Sequence, residues 1–393
     1  MLYIEKYSPM FQLSLKLLGV RIWYMLEFID QELKQLINDG LFRELKTVEK
    51  VEGPRITING KELINFCSND YLGLTRHPKV IAAAVAAAKQ FGTGAGSSRL
   101  ISGNTCLSEF LEQKIACFKK TEAAIVFPTG YMANLGAITS LVDENDAVII
   151  DRLDHASIID ACRLSKAKLQ VYKHCDISAL EKTLRRSSKY RRRLIVTDSV
   201  FSMDGDIAPV KEIVALGKQY DAIVMVDDAH ATGVLEYEGK ADIVMGTLSK
   251  AIGSLGGFIA GPKVLIEYLR NKARSFIYTT ALPAPVCAAS IVAFDVIEEE
   301  PEIKRRLWDN IEYCKKVIRN SEIVSPIIPI IIGDAKKTME ISQKLFDRGV
   351  FVSGIRPPTV SEGESRLRIT ITANHTKEDL DCLASLLQEL TQG

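Results

Sequence analysis

An excess of charge of either sign is the first thing this sequence lacks. Over 393 residues, 50 Lys and Arg stand against 49 Asp and Glu, a formal net charge of +1. So even a balance argues against a polyanion-binding protein, and no nucleic-acid partner is expected. The one dense basic stretch, RRSSKYRRR at 185–193, runs straight into the apolar LIV at 194–196 and reads as a solvated turn before a strand. The eight cysteines, at 67, 106, 117, 162, 175, 287, 314 and 382, form no CxxC pair and no tight Cys/His cluster. In a chain this long that excludes a disulfide framework and a zinc motif, so we expect no metal and a reducing cytoplasm. Missing too is an uninterrupted apolar run long enough to span a bilayer. The nearest approach, MFQLSLKLLGVRIWYMLEF at 10–28, is broken by Lys16 and Arg21, and no small-residue cleavage site follows it. It reads as an amphipathic helix for a membrane surface or partner subunit, or as an upstream extension. We favour the extension, because Met25 opens a more ordinary polar helix. No integral membrane span is expected. A GxxxxGKS/T loop is also absent. The glycine-rich FGTGAGSSRLISG at 91–103 lacks GxGxxG spacing and follows an alanine-rich helix instead of a strand. A nicotinamide or nucleoside-triphosphate site is therefore not expected.

What is present is a long alternation of short apolar runs with helical stretches. Residues 25–41 predict a helix, 47–66 a small hairpin turning at Asn59-Gly60, and 80–90 an alanine-rich helix. Strands are predicted at 123–127, 146–151, 193–198, 222–228, 242–247 and 257–261. Their near-continuous apolar, β-branched character fits a sheet buried on both faces. The fold class is thus α/β, a mostly parallel central sheet flanked by helices. A long helical region passes through the acidic EEEPE at 298–302 into a smaller α+β unit, with strands at 327–333, 351–355 and 366–372 and a helix at 335–348. The expected division is an N-terminal helix and hairpin over 1–66, a large domain over 67–296 and a small C-terminal domain over 297–393.

In open α/β sheets ligands bind beyond the carboxyl ends of the strands. Lys250 stands at such an end, after DIVMGT; so do Asp227, Asp228 and His230 after AIVMV, Asp198, Ser199 and Ser202 after LIVT, and His155 after DAVIID. A lysine amine becomes a nucleophile only when neutral, and partial burial favours that form. Among Thr247, Ser249 and glycines, Lys250 suits attack on an aldehyde to form a Schiff base; taken alone it reads first as a lysine that snorkels to the surface or pairs with a carboxylate. Asp227 would keep a pyridine nitrogen protonated if it lay opposite one, or would serve an ordinary ion pair. FPTGYMANLGAI at 127–138 passes from strand through glycine turn into helix, so the N–H groups of Gly130 and Tyr131, with the Thr247 hydroxyl, could hold a phosphate. His155 could stack on a flat ring, and Ser202 and His230 could reach a phenolic oxygen on it. Arg368 could take a carboxylate bidentately, but Arg366 has the same strand parity, so parity does not choose between them.

Taken in order, GLFREL, NDYLGL, GTGAGSSRLISG, PTGYMAN, DRLDHASIIDA, TDSVFSMDGDIAP, VDDAHATGVLE, MGTLSKAIGSLGG, FIYTTALP, IRPPTV and RLRITITANHT resemble the α-oxoamine synthases, pyridoxal-phosphate enzymes of the aspartate aminotransferase-like fold (fold type I). The resemblance runs from about Leu41 to the C-terminus. It implies pyridoxal 5'-phosphate as cofactor, Lys250 as its Schiff-base lysine and Asp227 as its ring-nitrogen partner. It implies His155 as the stacking group, Ser202 and His230 near the phenolic oxygen, and Gly130, Tyr131 and Thr247 at the phosphate. Arg43, Asn69, His155, Thr359 and Arg368 become substrate-side positions. A homodimer with a shared site is implied, with Asn69 and Thr280 able to act across it. The implied reaction joins an amino acid to an acyl-CoA or acyl-carrier protein. IYTTALP, IRPPTV and RLRITITANHT lean toward the branch using L-alanine and a pimeloyl thioester. Ala231, where a glycine is frequent, leans mildly toward the branch using glycine and acetyl-CoA. ALPAP and VSEGES also depart from the usual ALPPA and VPEGT, and none of these changes touches the Lys, Asp or His set. A catalytically inactive scaffold homologue is the alternative of a different class, and intact Lys250, Asp227 and His155 argue against it.

Overall fold

The computed structural model describes residues 26–391. Of the apolar stretch at 10–28, all but the last three residues lie outside the described part, as does the expectation of an amphipathic helix there. The predicted first helix covers 26–38. Three short strands follow, β1 (Val48–Glu52), β2 (Arg55–Ile58) and β3 (Lys61–Asn65). One hairpin was expected over this stretch and the chain makes two. The second turns at Asn59 and Gly60, whose φ of 53° and 71° suit the two-residue turn that matches strand twist.

The central sheet contains β4 (Ala123–Phe127), β5 (Ala147–Asp151), β6 (Lys168–Tyr172), β7 (Arg193–Asp198), β8 (Ile223–Asp227), β9 (Ile243–Thr247) and β10 (Gly257–Gly261). Their order is β4-β10-β9-β8-β7-β5-β6. All pairings are parallel except those of β10, which runs antiparallel to both β4 and β9. β5 and β10 are buried along their whole length, which explains their unbroken apolar sequences. Each Val or Ile that leaves water there contributes roughly 1.5–3 kcal/mol. β6 was not predicted. KLQVY is an edge strand with one neighbour and mixed exposure, so it lacks the continuous apolar signature.

β11 (Ile327–Gly333), β12 (Val350–Phe351), β13 (Ser353–Ile355) and β14 (Ser365–Thr370) complete the strands. The expected strand at 351–355 is split. β12 joins the N-terminal strands by pairing parallel with β3, while β13 pairs with β14 beside β11. One apolar core extends from Phe66 through Phe258 and Phe294 to Leu387, so the C-terminal elements share a core with one face of the central sheet.

From β5 the chain moves outward to β6, then returns to the other side of β5 for β7, β8 and β9. The strand order therefore reverses between β5 and β7, which makes a crevice at their carboxyl ends. The antiparallel β10 places a second feature there. Between β9 and β10 the chain must reverse within residues 248–256, and Lys250 lies in that reversal. Its small neighbours follow from the geometry. Gly253 has φ 68°, and a Cβ there would lie 2.5 Å from the Thr75 backbone nitrogen. No other residue type fits that approach without moving the backbone.

Candidate active site

The crevice holds a cavity of about 240 Å³ into which four strand ends converge. The reversal after β9 supplies Lys250, and Asp227 closes β8. Asp198 closes β7, and His155 follows β5 as the N-cap of the helix Ala156–Ser165. After β4, the helix Gly130–Leu141 points its N-terminus at the same space.

The Lys250 amine lies 2.8 Å from His230 Nε2. Burial pushes it down to about 8, against the opposing pull of the Asp227 and Asp198 carboxylates. His230 is held well below the ordinary histidine range, by burial first and then by Lys250, Arg368 and His155. A neutral ring that accepts from the lysine at Nε2 carries its proton on Nδ1, which lies 2.6 Å from the Tyr71 hydroxyl. Tyr71 is wholly buried and passes its own proton toward Asn69 Oδ1 at 3.4 Å.

Asp227 is buried and makes no salt bridge among the described residues. Its Oδ1 accepts from Ala229 N at 2.9 Å and its Oδ2 from Asn134 Nδ2 at 2.8 Å. Burial and the nearby Asp227 raise Asp198 well above the carboxylate range, and Asp154 is raised in the same way by burial and Asp198. Asp198 Oδ2 accepts from His155 N at 2.8 Å. Burial lowers His155, and Asp227 partly opposes the shift.

At the helix end the Thr129 side chain caps Met132 N. The N–H groups of Gly130 and Tyr131 keep no partner among the described residues, as the first turn of a helix requires. Gly130 packs closely on Met245, whose Cε would have to move for a Cβ to fit there. The Thr247 hydroxyl stands beside it and contacts Ser249 Oγ at 2.7 Å. The Tyr131 side chain reaches outward and donates to Asp160 at 2.5 Å.

These residues suit pyridoxal 5'-phosphate. The helix offers free N–H groups and hydroxyls to a phosphate. A buried carboxylate without a counter-ion faces the same cavity as a lysine whose amine is partly neutral at physiological pH. Asn134 Oδ1 is also buried, with no hydrogen-bond partner among the described residues.

The two arginines left open by parity separate clearly. Arg366 donates to Asp204 Oδ1 at 2.5 Å and to Glu364 Oε2 at 3.2 Å, so its charge is engaged by structural carboxylates. Arg368 makes no salt bridge among the described residues. It donates to Ser202 O at 2.6 Å, Thr370 Oγ1 at 3.0 Å and Asn69 Oδ1 at 3.1 Å, all neutral acceptors, although it is buried. A buried guanidinium without a counter-ion is ready for a carboxylate from outside the chain. Ser202 itself lines the cavity.

Five expected site residues are not among those that line the cavity: Arg368 and Asn69, which are bonded to each other while Arg368 also donates to Ser202 O, and Arg43, Thr359 and Thr280. Arg43 is exposed and donates to Pro357 O at 3.1 Å, which brings it beside exposed Thr359. Thr280 is exposed next to the segment around Arg99. Residues that sequence reasoning passed over include Asn134, Ser157 and Tyr71. Asn134 carried a readable signal, being the one carboxamide in the largely apolar helix GYMANLGAITSL.

Asp151, His174 and Cys175 bring one potential metal-ligand atom each within 4.8 Å of one another. Both His174 nitrogens are already engaged, Nδ1 with Asp151 at 2.9 Å and Nε2 with Asp206 at 2.6 Å. Although burial opposes it, these two carboxylates hold His174 up at about 12, so the imidazolium has no lone pair for an ion.

The family model of class I and II aminotransferases matches residues 61–387. An 8-amino-7-oxononanoate synthase of Thermoanaerobacter pseudethanolicus is 46% identical over 382 residues, covering 93% of this chain and 97% of that protein. 8-Amino-7-oxononanoate synthase 1 of Bacillus subtilis is 47% identical over 379 residues, covering 92% and 97%. Among solved structures, a serine palmitoyltransferase from S. paucimobilis with a bound PLP–myriocin aldimine superposes with a TM-score of 0.88 at 32% identity, covering 94% of this chain and 98% of that one. An 8-amino-7-oxononanoate synthase from Francisella tularensis gives 0.71 at 28% identity, covering 84% and 97%.

Proposed function

The chain belongs to the class I and II aminotransferase family, as one of its α-oxoamine synthases of fold type I, and we propose that it condenses L-alanine with a pimeloyl thioester to give 8-amino-7-oxononanoate, CO2 and the free thiol, in biotin biosynthesis. The observation that carries the chemistry is the buried Lys250 amine, lowered to about 8, in one cavity with the buried carboxylate of Asp227. The choice of substrates rests on the relatives of 46–47% identity.

Pyridoxal 5'-phosphate supplies the electron sink for the charge left on the amino-acid α-carbon. Gly130 and Tyr131, through their N–H groups, and Thr247 would hold its phosphate, Asp227 its ring nitrogen and His155 its ring face, with Ser202 and His230 assigned to its phenolic oxygen. Arg368, without a salt-bridge partner among the described residues, takes the alanine carboxylate, assisted by Asn69. Arg43 and Thr359, brought together by the Arg43 bond to Pro357 O, are assigned to the acyl thioester. At pH 7 an amine of pKa 8 is about one-tenth neutral, roughly 300-fold more than an ordinary lysine. Lys250 Nζ therefore takes the α-proton as general base. The α-carbon then bonds to the thioester carbonyl carbon as the C–S bond breaks, and the departing thiolate takes a proton from solvent. Loss of CO2 returns an electron pair to the same carbon, and Lys250 hands a proton back to it.

A homodimer in the cytoplasm is part of the proposal. Exposed Leu100, Ile101 and Tyr278 lie on two segments tied together by Ala281 N to Ser97 O at 2.9 Å, and clustered exposed apolar side chains favour association. Thr280 is exposed on this patch, as a residue serving a partner's site would have to be. All eight cysteines are free, in keeping with a reducing compartment.

Thiol release from a panel of amino acids and acyl thioesters tests the assignment. L-alanine with pimeloyl-CoA or pimeloyl-carrier protein should give the highest kcat/KM. Preference for glycine with acetyl-CoA would move the chain to the other branch. No turnover with any pair would point to a non-catalytic homologue.

A further inference from the structure

We propose that Asn134 is the positioning residue that sets, with one carboxamide, both the carboxylate of Asp227 and the imidazole ring of His155. The inference rests on the functional reading above for the two residues being positioned, and on hydrogen-bond geometry for the rest. Asn134 is wholly buried one turn into the helix Gly130–Leu141. Its Nδ2 donates to Asp227 Oδ2 at 2.8 Å and to Ser157 Oγ at 2.9 Å. Ser157 Oγ in turn lies 2.8 Å from His155 Nδ1.

The direction of every proton in this chain follows from its neighbours. The backbone N–H of Ser157 also meets His155 Nδ1, at 3.2 Å, and an amide N–H can only donate. Nδ1 is therefore an acceptor, and the neutral ring carries its proton on Nε2. Ser157 Oγ receives from Asn134 and sends its own proton to Nδ1. Reversing the carboxamide would set Oδ1 against the Asp227 carboxylate, two acceptors face to face, so the orientation is fixed by the network. The same orientation leaves Oδ1 buried and without a partner. An unsatisfied acceptor is an odd feature of a purely structural side chain, and one kept for its two donors explains it. Asn134 thus couples two groups that come from different strands and would act on the cofactor from different sides. It makes their positions a single property of the helix that also presents Gly130 and Tyr131.

The test uses the full-length protein with 15N-labelled histidine, first without cofactor and then titrated with pyridoxal 5'-phosphate. Only five histidines are present, so each ring is resolvable by substitution. In the wild type the long-range 15N–1H spectrum of His155 should show the Nε2–H tautomer. Asn134→Leu keeps the volume and removes both donors. It should shift the His155 Nδ1 resonance toward that of a more weakly hydrogen-bonded acceptor and raise the Kd for the cofactor at least tenfold. Ser157→Ala cuts only the His155 arm. It removes the hydroxyl donor and leaves the backbone N–H, so Nδ1 should stay an acceptor with its resonance shifted further in the same sense, while Kd rises less than threefold. Ser157→Thr, which keeps the hydroxyl, should restore the wild-type signal. In the double variant Asn134→Leu/Ser157→Ala, the His155 signal should match that of Ser157→Ala alone, because Asn134 reaches His155 only through the Ser157 hydroxyl. A His155 Nδ1 resonance unchanged in Asn134→Leu or in Ser157→Ala would overturn the proposal. If Asn134→Leu fails to fold by circular dichroism, Asn134→Ala, which removes the same donors, takes its place. Failure of the wild type to bind pyridoxal phosphate would overturn the cofactor reading instead, and the spectra of the unloaded protein would still decide the role of Asn134.

Discussion

A lysine is an ordinary side chain until its surroundings remove its charge, and at Lys250 burial does so while Asp227 and Asp198 resist. The sign of the resulting pH dependence is set. The neutral, nucleophilic form grows as pH rises, with a midpoint near 8 instead of near 10.5. Stopped-flow mixing of the cofactor-free protein with pyridoxal phosphate should give a capture rate that climbs through that midpoint; a rate still climbing above pH 10 would mean the amine is not depressed. The two buried arginines of β14 make a paired prediction. Arg368→Ala should raise the KM for the amino acid about 10–100-fold, the scale of a lost charge-assisted pair. Arg366→Ala should leave that KM nearly unchanged and cost roughly 1–3 kcal/mol of stability, because Asp204 loses its partner. Steady-state kinetics and urea melts separate the two. Strand parity could not distinguish these residues, since the difference lies in Asp204 and Glu364 and only the first is remote in sequence. The same limit hid Asn134 and Ser157. Lys250, Asp227 and His155 were readable because each follows its own strand, whereas the carboxamide that joins two of them is defined only by which helix packs over which strand end.

At the scale of elements, the unbroken apolar strands were legible and the amphipathic ones were not. AVIID and GFIAG announce themselves as buried sheet, while KLQVY, on the edge, pairs on one side only and alternates. The segment FVSGI reads as one strand, yet β12 and β13 serve different sheets, a division set by what packs on either side of it. The reversal from β9 to β10 depends on close packing. A Cβ on Gly246 would lie 2.2 Å from Cζ of wholly buried Phe258 on β10. Gly246→Ala should therefore destabilise by about 1–3 kcal/mol, the usual cost of overpacking a filled core. Adding Phe258→Leu should recover part of that loss. Denaturant midpoints at constant m test both, and a Gly246→Ala variant as stable as wild type would mean that the strand pair yields more readily than its packing implies.

Across the whole molecule, the N-terminal and C-terminal parts meet at His375. Its ring stacks on Phe66 at 4.2 Å, accepts from Thr372 N at Nδ1 and faces Asn65 O with Nε2. Burial pushes this histidine down to about 4. The unfolded chain therefore binds a proton that the folded chain refuses. The associated stability is present above the unfolded value near 6.5 and is lost as pH falls toward 4, to an extent of about 3 kcal/mol. His375→Gln should flatten that part of the stability–pH curve, as measured by denaturant unfolding at pH 7.5 and pH 4.5. The site itself is a product of the same global arrangement, since its groups come from four strand ends, a helix N-terminus and, through Arg368, the C-terminal sheet.

The central claim is that Lys250 is the residue that bonds to the cofactor. Reduction of the pyridoxal-phosphate-loaded protein with borohydride, followed by peptide mapping, measures this directly. The loaded protein should be yellow, with its label on the single peptide containing Lys250, and Lys250→Ala should carry no label. A protein that stays colourless after soaking with cofactor, or a label on a different lysine, would contradict it.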